Sequence, residues 1–200
     1  MQPQFSAKSS RNTFFTIAIG ILALCDTQLH AQDPAISTNA PKTHLESFAC
    51  QTGIVLIRGV GEIGSVNVER GVVTVTGVEY VAPKTGDRAR GLNIRVKTGE
   101  SLFHAFVDGD EIEPLLAALD AITKVEKKVV SLPSFEAYYR TRDELRLATF
   151  NTINGPTENM YARISMPGCF NLTLTVDQLS QLRALIAQAK ATLDSPRKDK

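Results

Sequence analysis

No two cysteines in this chain form a C-x-x-C pair, no histidine belongs to an H-E-x-x-H, and no serine sits in a G-x-S-x-G elbow. The first absence removes the spacing that zinc sites use. The other two remove the signatures of helix-borne zinc hydrolases and of the α/β-hydrolase nucleophile. An excess of charge of one sign is also missing. The chain has 22 Lys+Arg and 21 Asp+Glu, and setting aside Lys8, Arg11 and Asp26 near the N-terminus leaves 20 of each. A nucleic-acid binder draws affinity from a basic excess that displaces counterions. The balance speaks against that partner and leaves only a local patch available to it. No cofactor is expected.

What is present begins with an export signal. Lys8 and Arg11 precede an apolar stretch of 11 residues, Phe14 to Leu24, and a polar segment ends at Leu29-His30-Ala31 before Gln32. That layout is a secretory signal peptide, and its apolar part falls short of the about 20 residues a spanning helix needs. Residues 1–31 are therefore expected to be removed and the protein to be periplasmic or secreted. Residues 32–44, rich in Pro, Ser, Thr and Asn, read as a flexible tether, residues 45–194 as one domain, and 195–200 as a charged tail. Leu22-Ala23-Leu24-Cys25 resembles a lipoprotein cleavage box except at Leu24, where a small residue belongs, so a lipid anchor at Cys25 is the lesser alternative. Export would permit a disulfide between Cys50 and Cys169. The other reading is two small buried apolar side chains.

Strand patterns dominate the remainder. Thr52 to Arg58, Val72 to Val81, Gly91 to Lys97 and Leu102 to Val107 are apolar, β-branched or alternating. A helix then starts near Asp110, with Glu113 placed for a capping box and Pro114 in the first turn. Its apolar stripe is Ile112, Leu115, Leu116, Leu119 and Ile122. The order of elements then recurs. Phe135 to Arg142 and Glu144 to Phe150 form a hairpin turning near Arg142-Asp143, and Tyr161 to Met166 and Cys169 to Leu174 follow. Thr175 and Gln178 open a second helix with Leu179, Leu182, Leu185, Ile186 and Leu193 on one side. The expectation is an α+β fold of two ββββα halves, about 50–126 and 131–194. Each has an antiparallel sheet and a packed helix, and the halves share one core because each alone is small.

Gly59, Gly61 and Gly64 spell G-x-G-x-x-G after the run Ile54 to Ile57. A dinucleotide site needs a helix to open at that turn, so that its N-terminus meets the pyrophosphate. Here Val, Thr and Gly follow, which is strand composition. The glycines read instead as a hairpin or bulge, with Gly61 a turn residue needing unusual φ.

Other chemistry is sparse. His44 falls in the tether, and His104 alternates with Leu102 and Phe106 as a half-buried strand residue. Asp108 to Glu113 ("DGDEIE") holds four carboxylates but lacks the EF-hand pattern, and capping at a helix start accounts for them. The outward rows of the strands are more suggestive. Arg95, Lys97, Tyr138, Arg140, Arg146, Tyr161 and Arg163 fall on polar faces, with Arg142 beside them, and Tyr with Arg is the vocabulary of binding surfaces. Repeated ββββα units that stack bases on a sheet occur among single-strand nucleic-acid binders, a likeness of topology only.

The expected function is an exported, non-catalytic binding or interaction module for a protein or small ligand of the envelope. An enzyme whose carboxylates or His104 converge only in three dimensions is the alternative. A nucleic-acid binder using the Tyr/Arg faces is third. His104 meeting an acid in a pocket would favour the second, and one sheet gathering most of the arginines would favour the third.

Overall fold

In a computed structural model of the chain, residues 40–154, 157–167 and 171–195 are described. The expected signal peptide, most of the tether, Cys25, Cys169 and the tail from residue 196 lie outside the described residues.

The ordered part starts with a helix that the strand-rich pattern concealed. Thr43 caps α1 (His44–Ala49). Its hydroxyl accepts the Glu46 N–H at 3.0 Å, and the Glu46 carboxylate accepts the Thr43 N–H at 3.0 Å. This reciprocal box satisfies two donors that a helix start leaves unpaired. Leu45 and Phe48 bury the inner side, so Thr43 and His44 belong to a packed helix rather than to the end of a tether.

Two antiparallel four-stranded sheets follow, each in sequence order. The first holds β1 (Ile57–Val68), β2 (Gly71–Val81), β3 (Arg88–Thr98) and β4 (Ser101–Asp108), after which comes α2 (Ile112–Ile122). The second holds β5 (Glu136–Arg140), β6 (Arg146–Asn154), β7 (Thr157–Ser165) and β8 (Leu172–Leu174), after which comes α3 (Val176–Asp194). The fold is α+β, with the ββββα order present twice.

The helices are exchanged between the halves. α2 ends the first half yet packs on β5 and β6 of the second, while α3 ends the second half and packs mainly across β1 and β2 of the first. The helices also meet each other, and Arg183 on α3 grips Asp120 on α2 through two hydrogen bonds of 2.9 and 2.8 Å. One buried cluster therefore runs from Val75, Ile94 and Val107 through Leu115 and Leu119 to Leu147, Ile164, Leu182 and Ile186. Burying each large apolar side chain contributes about 1.5–3 kcal/mol. Because each sheet is covered by the other half's helix, that contribution binds the halves together.

The first strand differs from its expected place. The ladder starts at Ile57 and passes through all three glycines to Val68, and the hairpin turns at Glu69-Arg70. The full-length partner Gly71–Val81 supplies the hydrogen bonds that hold a glycine-laden strand against its low propensity. The expected bulge is there, between Glu62 and Gly64. Gly61 has no positive φ; among the described glycines only Gly53, Gly86 and Gly99 do. The start of α2 also differs. Gly109–Glu111 form a 3₁₀ turn before it, and it is Glu111 that accepts the Asp108 N–H, at 3.3 Å. Thr175 and Gln178 form their expected box at 3.1 and 2.8 Å. Among the described residues no helix is long and apolar enough to cross a membrane.

Candidate functional site

Side chains alternate across a strand, and the register of β5, β6 and β7 decides which polar residues meet. Glu136 lies opposite Phe150, which lies opposite Tyr161; Tyr138 lies opposite Ala148, which lies opposite Arg163; Arg140 lies opposite Arg146. All eight share the outer face. Their sequence neighbours Leu147, Thr149, Ala162 and Ile164 are buried beneath them.

The outer row is a connected lattice. The Arg146 guanidinium lies 4.0 Å from the centre of the Tyr138 ring, and that of Arg163 lies 4.3 Å from Phe150. Phe150 stacks on Tyr161, with centroids 6.0 Å apart at 28°. Glu136 bridges the two arginines, accepting from Arg146 at 2.7 Å and from Arg163 at 3.3 Å. Contact thus runs from Tyr138 through Arg146, Glu136, Arg163 and Phe150 to Tyr161. Ala148 in the middle has only a methyl, which leaves room for the long arginines to lie across the sheet. Three arginines face one glutamate, so the face is cationic. Tyr138 remains 56% exposed, with one side of its ring against Arg146.

Five of the expected residues therefore meet here: Tyr138, Arg140, Arg146, Tyr161 and Arg163. Arg95 and Lys97 do not. They sit on the first sheet, where Arg95 is tied to Glu62 at 3.2 Å and to the Thr76 hydroxyl at 3.4 Å, while Lys97 is exposed. Two members were missed, Glu136 and Phe150. Phase alone would have found them, because Glu136 is two residues before Tyr138 and Phe150 four after Arg146.

The carboxylate run joins elements. Asp108, buried, accepts the His44 and Leu45 N–H groups at 2.8 and 2.9 Å and an Arg142 hydrogen bond at 3.1 Å. It therefore caps α1 from β4. Glu111 accepts the Arg142 N–H at 2.8 Å. Asp110 receives both Arg142 terminal nitrogens, at 2.8 and 2.7 Å, and that hydrogen bonding holds its carboxyl below the usual range. Asp143 accepts the Phe106 N–H at 2.8 Å, while burial pushes its carboxyl up. Among the described residues, no group of three or more His, Cys, Asp and Glu side chains could hold a metal ion.

His104 is exposed rather than half-buried. It stands edge-on to Phe106 at 5.7 Å and lies across the ladder from Arg95. Cys50, at the end of α1, is exposed rather than a buried apolar residue, and the expected partner Cys169 lies outside the described residues. An open cleft of about 630 Å³ sits where α3 ends over the first sheet, between Ile57, Gly59, Arg90 and Leu193. Its charges are already paired: Glu79 meets Arg88 at 3.1 Å and Arg90 at 3.3 Å. Among the described residues, no histidine or cysteine lines it. Gly59, Gly61 and Gly64 are strand residues with no helix opening at Gly64, so they offer no pyrophosphate site of the dinucleotide kind. No family model, curated protein or solved structure matches the chain.

Proposed function

We propose that this protein is an exported, non-catalytic binding module that takes an anionic ligand on the outer face of the second sheet. The observation that carries this reading is the lattice from Tyr138 to Tyr161. Its aromatic rings and guanidinium planes hold one another in place, so a ligand meeting them would freeze few rotamers. Three arginines against one glutamate favour negative charge, and flat rings favour planar or extended groups. A catalytic reading has less support: Asp143 lies near enough to His104 to feel its charge, but the Asp143 carboxylate is engaged by the Phe106 N–H and His104 is exposed on its strand.

A second reading rests on one feature. A single sheet gathers Arg140, Arg146 and Arg163 beside stacked aromatics, which is the equipment for single-stranded nucleic acid. The balanced overall charge and the export signal weigh against it.

The experiment is a fluorescence-anisotropy titration of the protein recovered from its own cells, using a labelled sulfated polysaccharide fragment and a labelled single-stranded oligonucleotide. Saturable binding of the first is expected, weakened about tenfold when Arg146 and Arg163 are both changed to Ala, a loss of about 1.4 kcal/mol. Tighter binding of the oligonucleotide would favour the second reading. No saturable binding of either would remove both. The mass of the recovered protein tests export: an N-terminus at Gln32 is expected, an intact Met1 on cytoplasmic protein would contradict it, and an acylated Cys25 would establish the lipid anchor.

A further inference from the structure

The sheets end in four edges, β1 and β4 in the first and β5 and β8 in the second. Unpaired strand edges invite pairing with another chain, and proteins normally guard them. β4 is guarded: α1 packs beside it, and the Phe106 N–H is taken by Asp143. β5 has five residues and β8 three. β1 is different. It has 12 residues, and all six from Ile57 to Glu62 are exposed, with Ile57 at 56% and Val60 at 58%.

We infer that this edge is the docking site for a second copy of the same chain, the two β1 strands pairing antiparallel about a twofold axis at Val60. That axis sets Val60 against Val60 of the other copy, Gly59 against Gly61, Arg58 against Glu62 and Ile57 against Ile63. Arg58 and Glu62 thereby form two equivalent ion pairs, the self-complementarity a twofold interface requires. Both side chains are already held on the outer face of the sheet. Arg58 lies over the Tyr80 ring at 5.8 Å, and Glu62 accepts from Arg95 at 3.2 Å. A register shifted by two residues along the strand would lose both pairs, so charge specifies the alignment. The bulge between Glu62 and Gly64 shifts the register of the β1–β2 ladder, so Ile57 to Glu62 is the uninterrupted stretch of the strand that a second copy would pair with.

The glycines give independent support. Gly59 and Gly61 have no positive φ. A Cβ on Gly61 would meet nothing within 4 Å, and one on Gly59 would make only ordinary contacts with Glu79, the nearest at 3.8 Å. The chain's own fold does not need glycine at either place. Glycine inside a strand marks a bulge, a bend or the close approach of a ligand or another backbone; the bulge lies beyond Glu62, and the twofold sets Gly59 and Gly61 opposite each other. The result is a continuous eight-stranded sheet through both copies.

The contact is short, so the dimer should be weak, with a dissociation constant on the order of 10–100 μM. Sedimentation velocity on the wild-type protein, and on Arg58→Glu and Glu62→Lys variants shown to fold by far-UV circular dichroism, tests it. Wild type should associate with rising concentration. Each variant alone should associate about tenfold more weakly, because like charges then face each other twice. An equimolar mixture of the two variants should associate like wild type, since each supplies the charge the other lacks. A wild type that stays monomeric to about 1 mM, well above that range, would overturn the inference. So would variants that dimerise as wild type does, or folded variants that ignore each other. Should a variant not fold, hydrogen exchange on wild type decides: protection at residues 57–63 must rise with protein concentration, and constant protection there refutes the pairing.

Discussion

Leu185, on the last helix of the second half, places its Cδ2 2.8 Å from where a Cβ on Gly64 of the first strand would stand. The third glycine of the G-x-G-x-x-G run is therefore there to let α3 close on β1. Gly64→Ala forces that methyl aside, and because Leu185 is only half-buried the expected loss is about 1 kcal/mol, the low end of overpacking costs. Gly61→Ala should change the stability of the monomer by less than about 0.5 kcal/mol, as a surface change touching nothing does. Urea denaturation at low protein concentration separates the two. Equal losses at both positions would contradict these distinct roles.

The exchange of helices makes a prediction about cooperativity. Leu116 and Leu182 are buried in one cluster drawn from both halves. Leu116→Ala and Leu182→Ala should each cost about 2–5 kcal/mol, the range for deleting a buried leucine side chain. Each should move the whole unfolding transition as a single step. A variant that melts half of the far-UV signal separately would mean that the halves are independent.

The sequence made much of this legible where periodicity was strong. Leu92, Ile94 and Val96 alternate cleanly, and β3 formed around them. Thr175 and Gln178 announced α3. β1 was misplaced because the apolar run Ile54 to Ile57 looks more strand-like than the glycines beyond it, yet the partner ladder of β2 decides the matter. α1 was hidden because a six-residue helix offers only Leu45 and Phe48 as its stripe. The exchange of α2 and α3 is a tertiary fact: an apolar stripe says that a helix is covered, not by which sheet. The Tyr/Arg rows could be read from alternation. The joining of Arg146 to Arg163 by Glu136 depends on the register of three strands, which no local pattern encodes.

Asp108 anchors α1 to the far end of β4. Asp108→Ala leaves two N–H groups of α1 without their acceptor and Arg142 with only Asp110. Arg142 is about half exposed and keeps Asp110, so the cost lies in the N–H groups left without an acceptor, about 1–3 kcal/mol for a buried donor. Hydrogen exchange should report the loss first at residues 44–49. An unchanged helix there would show that Leu45 and Phe48 hold it by packing alone.

Two carboxylates give opposite pH slopes. Burial raises Asp143 above 3.8, so the folded chain holds a proton that the unfolded chain releases. Its stabilising contribution is complete below 3.8 and is lost as pH rises through the folded value. The Arg142 hydrogen bonds lower Asp110, whose contribution is present above 3.8 and is lost as pH falls through its folded value. Asp143→Asn keeps an acceptor for the Phe106 N–H and removes the ionisation. Its stability relative to wild type should therefore rise with pH just above 3.8 and then level off. Urea midpoints measured across that window check the sign. A flat difference would mean that Asp143 titrates alike in both states.

Glu136 is the point at which the cationic face can be tuned without touching a ring or a guanidinium. Its carboxylate neutralises part of Arg146 and Arg163, at 2.7 and 3.3 Å. Glu136→Gln keeps the shape and removes one negative charge. If the face receives anions, this variant should elute from a heparin column at higher salt than wild type, and Arg163→Ala at lower salt. The salt dependence of binding should steepen for the first and flatten for the second, because each engaged cation changes the log–log slope by about one. The stability of both variants should stay within about 1 kcal/mol of wild type, since exposed ion pairs contribute little. Elution can then be compared between proteins that are equally folded. Identical elution of all three would leave the lattice as a solvated sheet face that organises its own charges and receives nothing.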